Sequence, residues 1–217
     1  MNRKYLKMAV LAIPFSLAAG LVQADEYQVT ITNLTQAQFF TPILVASHDR
    51  GQPVFQPGQP ASPELEAVAE GGDTGPLMTL LDGNEDVYDM AVSEGLLAPG
   101  ASVTVTVEGK RDSRYLSLVS MLIPTNDAFV GVSGVKVPRK KNSPATLLVP
   151  AYDAGTEVND ESCAHIPGPV CGGEGMSAAG GEGFVSVHAG IHGTGDLAAH
   201  TYDWRNPVAA VTIERMR

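Results

Sequence analysis

The stretch that most constrains the fold of this chain is Leu116-Ser117-Leu118-Val119-Ser120-Met121-Leu122-Ile123, a near-continuous apolar run of strand length closed by Pro124-Thr125-Asn126-Asp127. A run without polar alternation reads as a strand buried on both faces, and the Pro, Asn and Asp that follow read as a turn. Phe129-Val130-Gly131-Val132 then returns to strand composition. Asp127 is thereby expected at the rim of a sheet with apolar anchors on both sides. Two readings stay open for it: a side chain that closes its own turn through the backbone, or an ion ligand. A second stretch, Pro150 to Glu161, also follows an apolar strand (Thr146-Leu147-Leu148-Val149) and carries Asp153, Glu157, Asp160 and Glu161. Two acidic turns at two strand ends can converge on one rim.

The chain opens with Arg3, Lys4 and Lys7, an apolar run from Met8 to Leu21, and Val22-Gln23-Ala24. That order of basic, apolar and small residues predicts a signal peptide over 1–24 and an exported chain over 25–217, secreted or periplasmic. Pro14 interrupts the run, which is shorter than the roughly 20 apolar residues a membrane span needs. Beyond residue 24 there remain eleven Lys and Arg against 24 Asp and Glu, a net charge of about −13. Such a chain repels phosphate backbones, which argues against nucleic acid as a partner.

The remaining patterns are those of an all-β protein. Tyr27, Val29 and Ile31 alternate with Gln28, Thr30 and Thr32, and Val103, Val105 and Val107 alternate with Thr104 and Thr106, ending at Glu108. Each has the period of a strand with one wet face. Phe39 to Ala46, Phe184 to His188 and Val208 to Ile213 have strand composition as well. Ser62-Pro63-Glu64-Leu65 offers an N-cap and a proline at the first helical position, with Gly71-Gly72 as the stop, and a second short apolar piece runs from Leu77 to Leu81. About eight strands separated by Gly and Pro turns, with one or two short helices in the loops, predict an antiparallel β-sandwich.

Cys163 and Cys171 are the only cysteines and enclose Pro167-Gly168-Pro169. In an exported chain an even, closely spaced pair predicts a disulfide.

Tyr27 to Thr35, Ser120-Met121-Leu122-Ile123-Pro124-Thr125-Asn126-Asp127-Ala128-Phe129, Tyr152-Asp153-Ala154-Gly155-Thr156-Glu157 and Asn206 to Ile213 together resemble the amino-terminal spondin domain of F-spondin and mindin, and in particular its stand-alone bacterial members. The resemblance covers nearly all of residues 25–217. It implies a β-sandwich similar to calcium-dependent phospholipid-binding modules, holding one Ca²⁺, and a module that acts by binding at the cell envelope or in an extracellular matrix. Carried over by position, the calcium ligands fall on Asp127, Asp153 and Glu108, the last by counting back without a gap. Ala128 stands where the animal members have Trp, and Glu157-Val158-Asn159 where they have Asp-Ser-Gly. The partner implied is an envelope or extracellular protein or glycan. Residue chemistry agrees with the ion: calcium takes six to eight hard oxygen ligands, and neither turn carries the thiolates or paired imidazoles that favour zinc.

An alternative of a different class rests on His188 and His192, with Asp196, His200 and Asp203 downstream. This reads as a secreted metal-dependent hydrolase. The pattern lacks a His-Glu-x-x-His helix. In a strand two positions four apart stand about 13 Å from each other, so one ion reaches both rings only if the chain bends at Gly190. No Gly-x-Ser-x-Gly elbow supports a nucleophilic serine either, and no catalytic residue is expected in the binding-module reading.

Overall fold

What covers the Leu116–Ile123 run on each side explains why it is apolar throughout. The computed structural model describes residues 24–51, 53–110, 114–177 and 180–217, so all but the last residue of the expected signal peptide lies outside them. Among the described residues the chain forms β1 (Asp25–Asn33), β2 (Phe39–Phe40), β3 (Leu44–His48), α1 (Pro63–Gly71), α2 (Gly75–Asp82), β4 (Val87–Val92), β5 (Ser102–Gly109) and β6 (Tyr115–Ile123). It continues through β7 (Ala128–Lys136), β8 (Ala145–Val149), β9 (Ala151–Asp153), α3 (Gly168–Cys171), β10 (Ser186–Val187), α4 (Ala199–Tyr202) and β11 (Ala209–Arg215). A four-stranded antiparallel sheet has the order β5-β1-β11-β8, and a seven-stranded one the order β10-β9-β7-β6-β3-β4 with β2 paired to β6. The predicted sandwich is present.

Leu116, Leu118 and Leu122 of β6 pack into the core between the sheets against Val29 and Ile31 of β1 and Val105 and Val107 of β5. From the opposite face, Val119 joins Phe129 and Leu44 beneath Leu65 and Val68 of α1 and Leu77 of α2. A strand with a sheet on one side and helices on the other has no wet face to fill with polar residues. Each such side chain withdrawn from water contributes roughly 1.5–3 kcal/mol. The four-stranded sheet is open on its outer face and alternates accordingly: Thr30 meets Thr104, Thr32 meets Ser102 and Thr146 meets Thr212 through hydroxyl pairs of 2.7–2.9 Å.

Helix α1 begins and ends where its sequence predicts. The Ser62 hydroxyl accepts from the Leu65 N–H at 3.3 Å, and Gly72 is left-handed at φ 66°. A lost Ser cap costs about 1 kcal/mol. The fold has more strands than the eight expected. β4 is half-buried along its whole length, an edge strand with no alternation to read. The pattern over 184–188 yields only the two-residue β10.

Cys163 and Cys171 form the predicted disulfide, with their Cα atoms 4.7 Å apart. No helix among the described residues is long and apolar enough to cross a membrane.

Candidate metal centre

Thr125, and not Asp127, closes the turn after β6. Its hydroxyl donates to the Leu122 carbonyl at 2.5 Å and accepts from the Ala128 N–H at 3.2 Å. The carboxylate of Asp127 is therefore free to reach another part of the chain. Its Oδ2 accepts from the backbone N–H groups of Thr156 at 2.9 Å and Glu157 at 3.2 Å, and from the Thr156 hydroxyl at 3.3 Å. The sheet brings the second acidic stretch alongside, because β7 and β9 pair with Ala128 opposite Asp153. The two acidic turns do converge.

Asp153 is held from the other side. Its Oδ1 accepts from the Gly155 N–H at 2.7 Å, and its Oδ2 from the Asn159 amide at 2.7 Å. Gly155 sits at φ 69°, and a Cβ there would lie 2.4 Å from the Phe184 carbonyl oxygen. Glycine is required both by the left-handed backbone and by this close approach.

Asn126 ties the remaining acidic residues to the same turn. Its amide donates to Glu157 Oε1 at 3.3 Å and Asp160 Oδ1 at 3.1 Å, while its oxygen accepts from the Glu161 N–H at 3.1 Å. Glu157 Oε1 also accepts from the Ser177 hydroxyl.

Asp127 Oδ1 and Glu157 Oε2 have no hydrogen-bond partner among the described residues, and neither has either oxygen of the buried Glu70, whose carboxyl is raised by burial and further by the charge of Glu157. Asp127 is fully buried and Glu157 nearly so. Burial first, and then the charge of Asp153, push the Asp127 carboxyl up to about 7 against the pull of the Thr156 and Glu157 N–H groups. Burial raises the Asp153 carboxyl too. A buried carboxylate oxygen without a donor costs free energy. Such a site relaxes either by taking up a proton or by taking up a cation.

Glu108 does not belong to this centre. It is exposed at the end of β5, its N–H donates to Asp89 Oδ2 at 2.7 Å, and its carbonyl accepts from the Ser47 hydroxyl at 2.5 Å. Ser47 lies opposite Leu116, near the start of β6, whereas Asp127 follows Ile123 at its far end. Seven strand residues, roughly 23 Å, separate the two ends. The chain runs from the end of β5 into the start of β6 through a short connection, so a residue at the end of β5 can only meet the beginning of β6. The carboxylate whose charge reaches Asp127, after that of Asp153, is Glu157.

The donors at this centre are hard oxygens, which suits calcium. Among the described residues no three His, Cys, Asp or Glu side chains already stand in a metal-holding group. Asp127 and Asp153, with Glu157 joined to Asp127 through its backbone N–H, are the residues whose chemistry suits such an ion. A pocket of about 210 Å³ leads to Asp153 and Asn126, and Asn159, Glu161, His188 and His192 also line it.

The two histidines line the same pocket but differ in burial and in what holds them. His188 is buried, its Nδ1 accepts from the Gly190 N–H at 2.9 Å, and its Nε2 lies 3.1 Å from the Asn159 oxygen. This fixes the tautomer with the proton on Nε2 and leaves neither nitrogen for a metal. The ring packs on Trp204 with centroids 5.0 Å apart, and burial lowers its pKa to about 4. His192 is exposed, and its N–H, with that of Thr194, is held by the Glu161 carboxylate. The arrangement gives the hydrolase alternative no support.

A family model described as Spondin_N matches residues 29–162. The chain belongs to the spondin amino-terminal domain family. No curated protein matches it. The matched span takes in both turns of the spondin domain, with Asp127, Asp153 and Glu157, and stops just short of the disulfide.

Proposed function

We propose that this spondin domain is an exported calcium-binding module that acts by binding a partner rather than by catalysis. Asp127, Asp153 and Glu157 would hold the ion, with turn carbonyls and water completing its oxygen shell. The observation that carries the reading is the buried, unpartnered Asp127 Oδ1 beside a second buried carboxylate. A divalent cation supplies the positive charge that this pair lacks and ties the turn after β6 to the turn after β9.

Export is supported by the disulfide, since such bonds persist in oxidising compartments, and by membership in the spondin family. The partner is an envelope or extracellular protein or glycan, and adhesion there is the role proposed. Titration calorimetry of calcium into the metal-stripped chain 25–217 tests the ion, and a pull-down from envelope extracts with calcium and then with chelator tests the partner. Saturable heat at one ion per chain, together with retention that chelator abolishes, is expected. Absence of calcium heat, or retention indifferent to chelator, refutes the reading.

A further inference from the structure

Most of the cations among the described residues of this acidic protein are gathered at one end of the sandwich. Of the ten Lys and Arg among the described residues, eight fall in three short stretches: Lys110 with Arg114, 136–141, and 215–217. The sheets bring these stretches together: Tyr115 pairs with Lys136, Tyr27 with Arg215, and Asp25 with Gly109. They mark the end of the sandwich where β6 begins, opposite the carboxylate turns.

Two adjoining clefts open there. One of about 390 Å³ lies between Arg114, Tyr115, Lys136, Val137 and Arg139. A second of about 280 Å³ shares Arg114, Val137 and Arg139 and is bounded by Asp25 and Arg215. Lys136, Arg139, Lys140 and Lys141 are exposed.

The turn that carries three of these cations is held in place. The Val137 N–H donates to the Arg114 carbonyl at 3.0 Å, and Arg215 Nη1 donates to the Arg139 carbonyl at 2.6 Å. Asn142, left-handed at φ 55°, reverses the chain after it. Arg215 spends its other donors on Asp25 and the Arg217 carbonyl, so it positions the turn instead of meeting a ligand. Asp25 and Glu26 are already paired with Arg215 and Arg217 and do not neutralise the exposed cations.

We propose that this end of the domain is a second, calcium-independent binding surface, and that it takes a sulfated or phosphorylated polysaccharide. At physiological salt charges beyond about 8 Å are largely screened, so the local cations govern despite the acidic total. Arginine forks match sulfate and phosphate oxygens in pairs, and a preordered turn lowers the ordering cost of binding. A flat anionic membrane fits less well. Glu108 and Glu214 stand on the neighbouring strands β5 and β11 and would be pressed against the same charged plane, whereas a single chain can follow the clefts on the β6–β7 side. The disulfide favours a glycan over nucleic acid, because it belongs to an exported protein.

The test is binding of the chain 25–217 to immobilised dextran sulfate, with neutral dextran, double-stranded DNA and vesicles of 30% phosphatidylglycerol in phosphatidylcholine as comparisons. Dextran sulfate should be bound in chelator, with affinity falling steeply as salt rises. Replacing Arg139, Lys140 and Lys141 together by Ala should weaken it at least tenfold and flatten the salt dependence. Arg205→Ala, which removes a cation outside the three stretches, should leave it unchanged. Equal binding by the triple variant at an unaltered thermal midpoint overturns the proposal. So does binding to DNA or to the vesicles as tight as to dextran sulfate.

Discussion

Asn in place of Asp127 is expected to stabilise the metal-free protein, the reverse of what loss of a buried, hydrogen-bonded carboxylate usually does. With its oxygen in the place of Oδ2, the amide still accepts from Thr156 and Glu157, and its N–H₂ then faces the Asp153 carboxylate in place of the unpartnered Oδ1. A charge without a donor becomes a donor beside a charge. The native carboxyl stands at about 7 against an ordinary 3.8, a difference of roughly 4 kcal/mol between its protonation states. Between these values the folded protein binds more protons than the unfolded chain, so this group's contribution is complete below about pH 4 and lost as pH rises through 7. The advantage of Asp127→Asn over wild type should therefore be small at pH 4.5 and approach about 4 kcal/mol at pH 8, on the order of 10 °C in midpoint for a domain of this size. Urea unfolding followed by the single tryptophan, the buried Trp204, measures it in chelator at each pH. The comparison with the variant is needed because His188 pulls the other way over part of this range. A variant less stable than wild type at pH 8 in chelator refutes the argument.

Calcium should narrow that gap at pH 8, and favour wild type at lower pH where the gap is small. At a hundredfold excess over Kd an ion that binds only the folded state adds about 2.7 kcal/mol, so thermal melts of wild type should shift by roughly 5–10 °C, while Asp127→Asn, Asp153→Asn and Glu157→Gln lose most of the shift and Glu108→Gln keeps it. His188, lowered to about 4 from 6.5 by burial, contributes stability present above pH 6.5 and lost as pH falls through 4, roughly 3 kcal/mol in all; His188→Gln should remove that part of the acid dependence in urea titrations. Gly155→Ala meets both a left-handed backbone and the Phe184 carbonyl, and should cost at least about 2 kcal/mol in chelator and in calcium alike. Reduction of Cys163–Cys171 should cost about 2–3 kcal/mol, read as a lower urea midpoint with and without dithiothreitol.

The sequence made much of this legible wherever a local rule meets no competition. The cap at Ser62, the stop at Gly72, the alternation of β1 and β5 and the two-faced burial of β6 all follow from the chain's own period. What it hid was non-local. β4 carries Asp89 and no alternation because it is an edge. Counting back from Asp127 to Glu108 failed because sequence distance along a sandwich says nothing about which end of a strand a neighbour reaches. Glu157 was inside the acidic stretch all along, and the signal that selects it is Gly155. A left-handed residue between Asp153 and Thr156 turns the chain so that the next two N–H groups point at Asp127 Oδ2, a small anion-binding concavity. The same turn leaves the Glu157 carboxylate on Asn126 and Ser177. The Asp-Ala-Gly-Thr-Glu order thus has a physical meaning: Asp as the carboxylate beside Asp127, Gly as the bend, and Thr and Glu as backbone donors to the first turn's carboxylate. An acidic turn with a glycine two residues after its first carboxylate, beside a strand end whose own turn is closed by Thr, is the pattern to seek in place of a count along the chain.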